Sequence, residues 1–142
     1  MIVKKRKRKN KKVKMNIKIE NILQKNQKYV VEIVNYGANG EGVAKIDGVA
    51  VFVPFAIVGE KVEIQIILTK KQFAIGKITN IVVPSDKRVT APCPYFGKCG
   101  GCQLQHMNYY EQLKLKTNMV INGIHQALSR SASIMKKVQI LL

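Results

Sequence analysis

The 142-residue chain has no tryptophan and only nine other aromatic residues, five Tyr and four Phe, so any core it builds must be aliphatic. Hydrophobic residues make up 46% of the sequence, enough for a small core. A domain of this size still buries a modest share of its surface and has little stability to spare. Acidic residues are scarce: 8 Asp and Glu stand against 25 Lys and Arg, a formal net charge of +17. No apolar run approaches the roughly 18–20 residues that span a bilayer, and the basic start is not followed by the apolar stretch of a secretory signal. No membrane partner is therefore expected. The three cysteines are too few, odd in number and too clustered for a disulfide framework. They point to a reducing compartment, the cytoplasm, with thiols kept for metal binding or catalysis.

The positive charge is unevenly placed. Nine Lys and Arg fall within residues 1–14 with no acid among them, which leaves +8 for residues 15–142. A like-charge block with almost nothing apolar to bury reads as a disordered tail, placed over residues 1–20. Its favourable interaction would be phosphate neutralisation, which depends on salt and ignores sequence. A charge excess alone also fits a Lys-, Ile- and Asn-rich composition with a solvated surface.

Residues 21–84 carry a β pattern. Tyr29–Asn35 is rich in β-branched residues, and Val43–Ile46 and Val49–Val53 flank Asp47-Gly48. Asp-Gly between two such runs signals a hairpin, because a type I′ turn needs φ > 0 at both central positions. In Lys61–Leu68 the residues Val62, Ile64, Ile66 and Leu68 alternate with Glu63 and Gln65, which predicts a half-buried strand with those four facing inward. Phe73–Val82 is a fifth strand, reached through Lys70-Lys71. Five short antiparallel strands suggest a small closed barrel, since closure removes exposed edges. The glycine-rich Tyr36–Gly42 lacks the order of a phosphate-binding loop and reads as a bulged β-turn.

Pro84, Pro92 and Pro94 mark residues 85–107 as a loop, in which the cysteines lie. A helix is expected over residues 108–130. Asn108 suits the N-cap, Glu111 could complete a capping box, and Tyr110, Leu113, Thr117, Val120, Ile124 and Ala127 form a largely apolar stripe. The stripe suits either a partner surface or packing on the barrel. Ser131-Ala132-Ser133 breaks the rhythm, so residues 131–142 are expected to be an irregular tail. The fold class is thus mainly β: a five-stranded OB-like barrel, a Cys-rich loop and one C-terminal helix.

Cys93-x5-Cys99-x2-Cys102 is the strongest chemical signal. Soft thiolates at this spacing select zinc, an iron–sulfur cluster or copper(I). Cubane clusters usually take four Cys, and structural zinc takes four Cys or His ligands. Three Cys are present, and His106 is the nearest candidate fourth ligand, giving C-x5-C-x2-C-x3-H. His106 could equally cap or orient the loop. Spacing alone leaves zinc and iron–sulfur both open. A redox CxxC would leave Cys93 unexplained, and three buried small side chains are the plain structural alternative.

Two further groups of residues carry a family resemblance. Gly40-Glu41-Gly42-Val43-Ala44-Lys45-Ile46-Asp47-Gly48, Val51-Phe52-Val53-Pro54 and Gly59-Glu60-Lys61-Val62 resemble the TRAM domain, a small OB-like RNA-binding barrel. Pro92-Cys93-Pro94, Cys99-Gly100-Gly101-Cys102-Gln103-Leu104-Gln105-His106, Tyr109 and Gln112-Leu113-x-x-Lys116 resemble the segment that follows TRAM in bacterial RNA (uracil-5-)-methyltransferases of the 23S ribosomal RNA type. The resemblance covers about residues 27–130. It implies that Cys93, Cys99 and Cys102 are three of four ligands to a 4Fe–4S cluster. It also implies an RNA partner, ribosomal in kind. The family's fourth cluster Cys, its nucleophilic Cys, its catalytic base and its S-adenosylmethionine site have no counterpart in these 142 residues. The expected identity is a truncated N-terminal part, inactive alone, with the catalytic region as a possible separate partner chain. A stand-alone RNA-binding module and a zinc-stabilised interaction protein are the competing functions.

Overall fold

The computed structural model describes residues 22–141. The tail expected over residues 1–20 lies outside the described residues. Six strands form one sheet: β1 (Lys28–Glu32), β2 (Asn35–Tyr36), β3 (Gly42–Ile46), β4 (Val49–Val53), β5 (Lys61–Thr69) and β6 (Phe73–Val83). A single helix, α1 (Tyr109–Leu141), follows the Cys-containing loop.

The expected first strand divides in two. β1 pairs with β5, and two residues later β2 pairs with β3. These are the two ends of the sheet, whose order is β1-β5-β6-β4-β3-β2. The bend at Ile33-Val34 therefore carries one run of chain from one edge of the sheet to the other. Within it Ile33 N–H donates to the Glu60 carbonyl and Val34 N–H to the Val43 carbonyl, both at 2.9 Å. The sheet closes into a small OB-type barrel with a common core, and its edges are consumed.

Two strand expectations are corrected. The barrel is not wholly antiparallel, because β4 and β6 pair in parallel, Ala50 opposite Phe73 and Phe52 opposite Ile75. That geometry follows because a single strand, β5, lies between them in the chain and reverses direction before β6. Leu68 does not face inward with Val62, Ile64 and Ile66; those three are fully buried, while Leu68 is 39% exposed. A bulge between Ile66 and Leu68 shifts the register against β6 and breaks the alternation.

The Asp47-Gly48 tip is as the sequence predicts, with φ of 48° and 82°. The β2–β3 connection is a tight turn closed by Gly37 N–H to Glu41 carbonyl at 2.7 Å. The aliphatic core contains Leu23, Ile33, Val51, Val53, Val62, Ile64 and Ile66. Gly42 is required by packing: a Cβ there would sit 2.7 Å from Ala56 Cβ and 2.8 Å from Ile33 Cγ2.

α1 starts where expected. Asn108 Oδ1 accepts the Glu111 N–H at 2.9 Å, an N-cap. The reciprocal half of the capping box is absent, because Asn108 N–H donates to the Lys87 carbonyl and the Glu111 carboxylate faces Lys87 Nζ at 3.4 Å. The expected end near Arg130 is corrected: the helix continues to Leu141 through Ser131-Ala132-Ser133, since small polar residues weaken a helix without forbidding it. Leu115 and Glu111 are buried, whereas Tyr110, Leu113, Val120 and Ile124 are exposed. The apolar stripe does not pack on the barrel. No helix is long and apolar enough to cross a membrane among the described residues.

Candidate nucleic-acid interface and thiolate loop

The loop is fixed to the barrel by a buried ion pair. Glu60, directly before β5, is fully buried. Its carboxylate accepts two hydrogen bonds from Arg88, from Nε at 2.5 Å and from Nη2 at 2.7 Å. Ile57 N–H and Ser85 N–H donate to the same carboxylate. Burial acts to raise the Glu60 pKa, but the donors from Arg88, Ile57 and Ser85 outweigh it and hold the carboxyl below its usual range. Arg88 Nη2 also donates to the Phe55 carbonyl at 2.7 Å. Phe55 has φ of 65°, a left-handed conformation that a bulky residue adopts only when held.

Arg88 then begins the loop and Met107 ends it; the two form an isolated antiparallel bridge. Val89 N–H donates to the His106 carbonyl and Asn108 N–H to the Lys87 carbonyl, which closes the base of the loop. A second small core, made by Ile57, Met107 and Leu115 with Tyr36 and Leu104 packed against it, joins barrel, loop and helix. Tyr36 Oη accepts the Val58 N–H at 3.2 Å and donates to Glu111 Oε1 at 3.4 Å. Burial raises the Tyr36 pKa, and the Glu111 and Glu60 carboxylates add to the effect.

All three cysteines are free thiols on this loop, Cys93 half-buried and Cys99 and Cys102 exposed. The Cys93 N–H donates to Gln105 Oε1 at 3.2 Å, and Cys99 N–H donates to the Tyr95 carbonyl at 3.0 Å. Gly100 has φ of 74°, so the CxxC does make the tight turn its glycines suggest. A Cβ on Gly101 would lie 3.5 Å from Cys99 Sγ. Three accessible thiols within ten residues are the donor chemistry a thiophilic metal or cluster takes. Their geometry does not yet form a ligand set: among the described residues no group of three or more His, Cys, Asp or Glu stands close enough to hold a metal ion.

His106 lies in an aromatic pocket. It is 3% exposed, stacked on Phe96 with ring centroids 5.8 Å apart, and edge-on to Phe55 at 5.8 Å. Neither ring nitrogen has a hydrogen-bond partner among the described residues. Burial, with a smaller contribution from the Arg88 charge and against the opposing pull of Glu60, lowers its pKa to about 4, so the ring is neutral.

On the outer face of the barrel the pairing aligns Lys45, Ala50 and Phe73 in one row across β3, β4 and β6, and Val43, Phe52 and Ile75 in the next. Phe52 and Phe73 meet edge to face with centroids 5.4 Å apart. Lys45 and Lys77 are exposed on this face. Lysines interleaved with aromatics on an OB-type sheet are what a single nucleic-acid strand requires. Sequence reasoning missed Glu60, Arg88 and Phe55 as structural partners. The only signal was an acidic residue, Glu60, directly before a strand in a basic chain.

Residues 23–79 match the TRAM domain family. The chain is 47% identical over 102 residues to an uncharacterized RNA methyltransferase of Clostridium tetani, covering 72% of this chain and 22% of that protein. It is 49% identical over 90 residues to an uncharacterized RNA methyltransferase of Staphylococcus aureus, covering 63% and 20%. The crystal structure of Pyrococcus abyssi tRNA (uracil-54, C5)-methyltransferase in complex with S-adenosyl-L-homocysteine shows 29% identity and a TM-score of 0.45, covering 63% of this chain and 20% of that one. The chain spans about a fifth of the length of the curated relatives it matches. Residues 23–79 thus match the TRAM domain family, in a chain whose sequence similarity runs to RNA methyltransferases.

Proposed function

We propose that this chain is the RNA-binding, iron–sulfur-ligating part of an S-adenosylmethionine-dependent RNA (uracil-5-)-methyltransferase, and that it transfers no methyl group by itself. The observation that carries this reading is the direct attachment of a thiolate loop to a basic TRAM barrel through the buried Arg88–Glu60 pair. The barrel binds RNA through Lys and Arg contacts to phosphate, reinforced by the tail of nine cations. Cys93, Cys99 and Cys102 hold a 4Fe–4S cluster together with a fourth ligand from outside these residues. A cluster bound there would cross-link the loop and fix its shape. The uracil-5 chemistry rests on the Cys99–His106 motif, and ribosomal RNA is the substrate class that the resemblance favours. Attack on uracil C6 needs a thiolate nucleophile, and no cysteine follows Cys102. The exposed apolar stripe of α1 suits docking of the catalytic region, and the free thiols suit the cytoplasm. The zinc reading gains no support from His106, which lies buried between Phe55 and Phe96.

RNA binding measured against salt tests the proposal. Affinity for a ribosomal RNA fragment should fall steeply with added salt, and deleting residues 1–14 should flatten the slope of log K against log salt. The intact chain, mixed with S-adenosylmethionine and unmodified ribosomal RNA, should yield no 5-methyluridine above a protein-free control. Salt-independent binding, or methyl transfer by this chain, would overturn the reading.

A further inference from the structure

Between the barrel and the thiolate loop lies a cleft of about 550 Å³. Its walls are Phe52, Phe73 and Ile75 from the outer sheet face, Pro54 and Phe55 from the segment after β4, and Gln103 from the loop. Asn39 and Gly40 of the β2–β3 turn and the neighbouring Glu41 form its rim. The volume falls within the range of small-ligand sites, roughly 300–1,000 Å³.

The lining selects the occupant. Among the described residues no Lys or Arg lines the cleft, and the one charged group in its lining is a carboxylate, Glu41, already engaged by the Asn39 N–H at 2.9 Å. A phosphate would find no counter-charge there. A flat apolar ring would find two phenylalanines at right angles, with Asn39 and Gln103 as the polar residues beside them in the lining. The cations stand just outside. Lys45 lies in the same cross-strand row as Phe73, and Lys77 lies two residues beyond Ile75 on the same face of β6. The layout is apolar within and cationic outside, which fits a polyanionic strand that turns one base inward.

We propose that this cleft receives one unstacked nucleobase of a single-stranded RNA, packed against Phe52 and Phe73, while Lys45 and Lys77 take the flanking phosphates. The inference rests on the RNA-binding reading above and adds to it the place and the mode of contact. It also couples the two halves of the chain. Gln103 follows Cys102 directly, and Phe55 packs against both Phe96 and His106 of the loop, with ring centroids 5.1 and 5.8 Å away. The base and the thiolate loop thus share a wall, so the order of the loop tunes the grip on the base.

The test compares two probes on the full chain at low salt: a uridine decamer, and a decamer of the same sugar-phosphate backbone with every base removed. The uridine decamer should bind about tenfold more tightly, the size expected for one stacked base. The Phe52→Leu/Phe73→Leu double variant should bind the uridine decamer no better than the abasic one, with its affinity for the abasic strand unchanged. Phe73→Tyr should retain the preference, since a tyrosine ring still stacks. Equal binding of the two probes by the natural chain overturns the cleft while leaving phosphate-driven RNA binding intact, and this comparison holds even if the double variant fails to fold. Binding of neither probe overturns both the cleft and the RNA-binding reading.

Discussion

Arg88 and Glu60 form a two-pronged ion pair, guanidinium to carboxylate at 2.5 and 2.7 Å, with the carboxylate fully buried and the arginine largely so. The same guanidinium holds the Phe55 carbonyl. Arg88→Ala would leave a buried carboxylate without its counter-ion, at a cost of about 3–5 kcal/mol, a large part of the stability of a small domain. Urea unfolding should show that loss. Arg88→Lys should recover only a fraction, since an ammonium cannot match the fork. Replacing both residues with leucine should cost much less than Arg88→Ala alone; equal losses would show that the pair is not what the site depends on.

The neutral state of His106 gives folding a pH dependence. Its pKa is about 4 in the folded chain and about 6.5 when unfolded. Between those values the unfolded chain binds a proton that the folded chain refuses. Stability should therefore fall as pH drops from 6.5 towards 4, by up to about 3 kcal/mol, and the His106 contribution should be flat above 7. Glu60, whose pKa is lowered from about 4.5, begins to add its own loss at the acid end of this range and continues it at lower pH. His106→Phe should remove most of the slope between about 6.5 and 5, leaving that of the carboxylates below it, and keep stability at pH 7 within about 1 kcal/mol, because the ring nitrogens it removes have no partner among the described residues.

Three Gly→Ala substitutions should differ in size and sign. Gly42→Ala forces a Cβ onto Ala56 and Ile33 in the core and should cost about 1–3 kcal/mol. Gly48→Ala meets no atom but is strained at φ of 82°, at about 1 kcal/mol. Gly123→Ala, inside α1 with open space around it, should stabilise by about 0.5–1 kcal/mol. Thermal unfolding of the three variants would rank them.

Anaerobic treatment with iron and sulfide should give the intact chain a brown chromophore that bleaches in air, because three protein thiolates leave one iron open. Replacing Cys93, Cys99 or Cys102 with Ser should weaken it sharply. Tight uptake of one zinc ion that His106→Phe abolishes would instead select the C-x5-C-x2-C-x3-H reading.

The barrel was legible because its signals are local. Alternation in Val62–Ile66 and the turn chemistry of Asp47-Gly48 are written in adjacent residues. Leu68 was misjudged because a bulge depends on the partner strand, which a single strand's pattern does not encode. The parallel pairing of β4 with β6 was hidden for the same reason, since it follows from closure. The helix end is not legible in Ser131-Ala132-Ser133, because none of these residues forbids helical backbone and the helix runs on to Leu141. In the thiolate loop the cysteines announce themselves by type and spacing. Arg88 and Phe55 do not, because their roles arise only when residues about 30 positions apart meet across the barrel.

Closure at Ile33-Val34 also sets an order of events during folding. The β3–β4 and β5–β6 hairpins join residues near in sequence and close small loops. The β1–β5 pairing joins Lys28 to Gln65, and the β4–β6 pairing spans the intervening segment, so both must wait for larger loops to close. The hairpins should gain amide protection first in pulse-labelled hydrogen exchange, with Ile33 and Val34 N–H among the last, because the seam of the barrel can form only when both of its edges already exist.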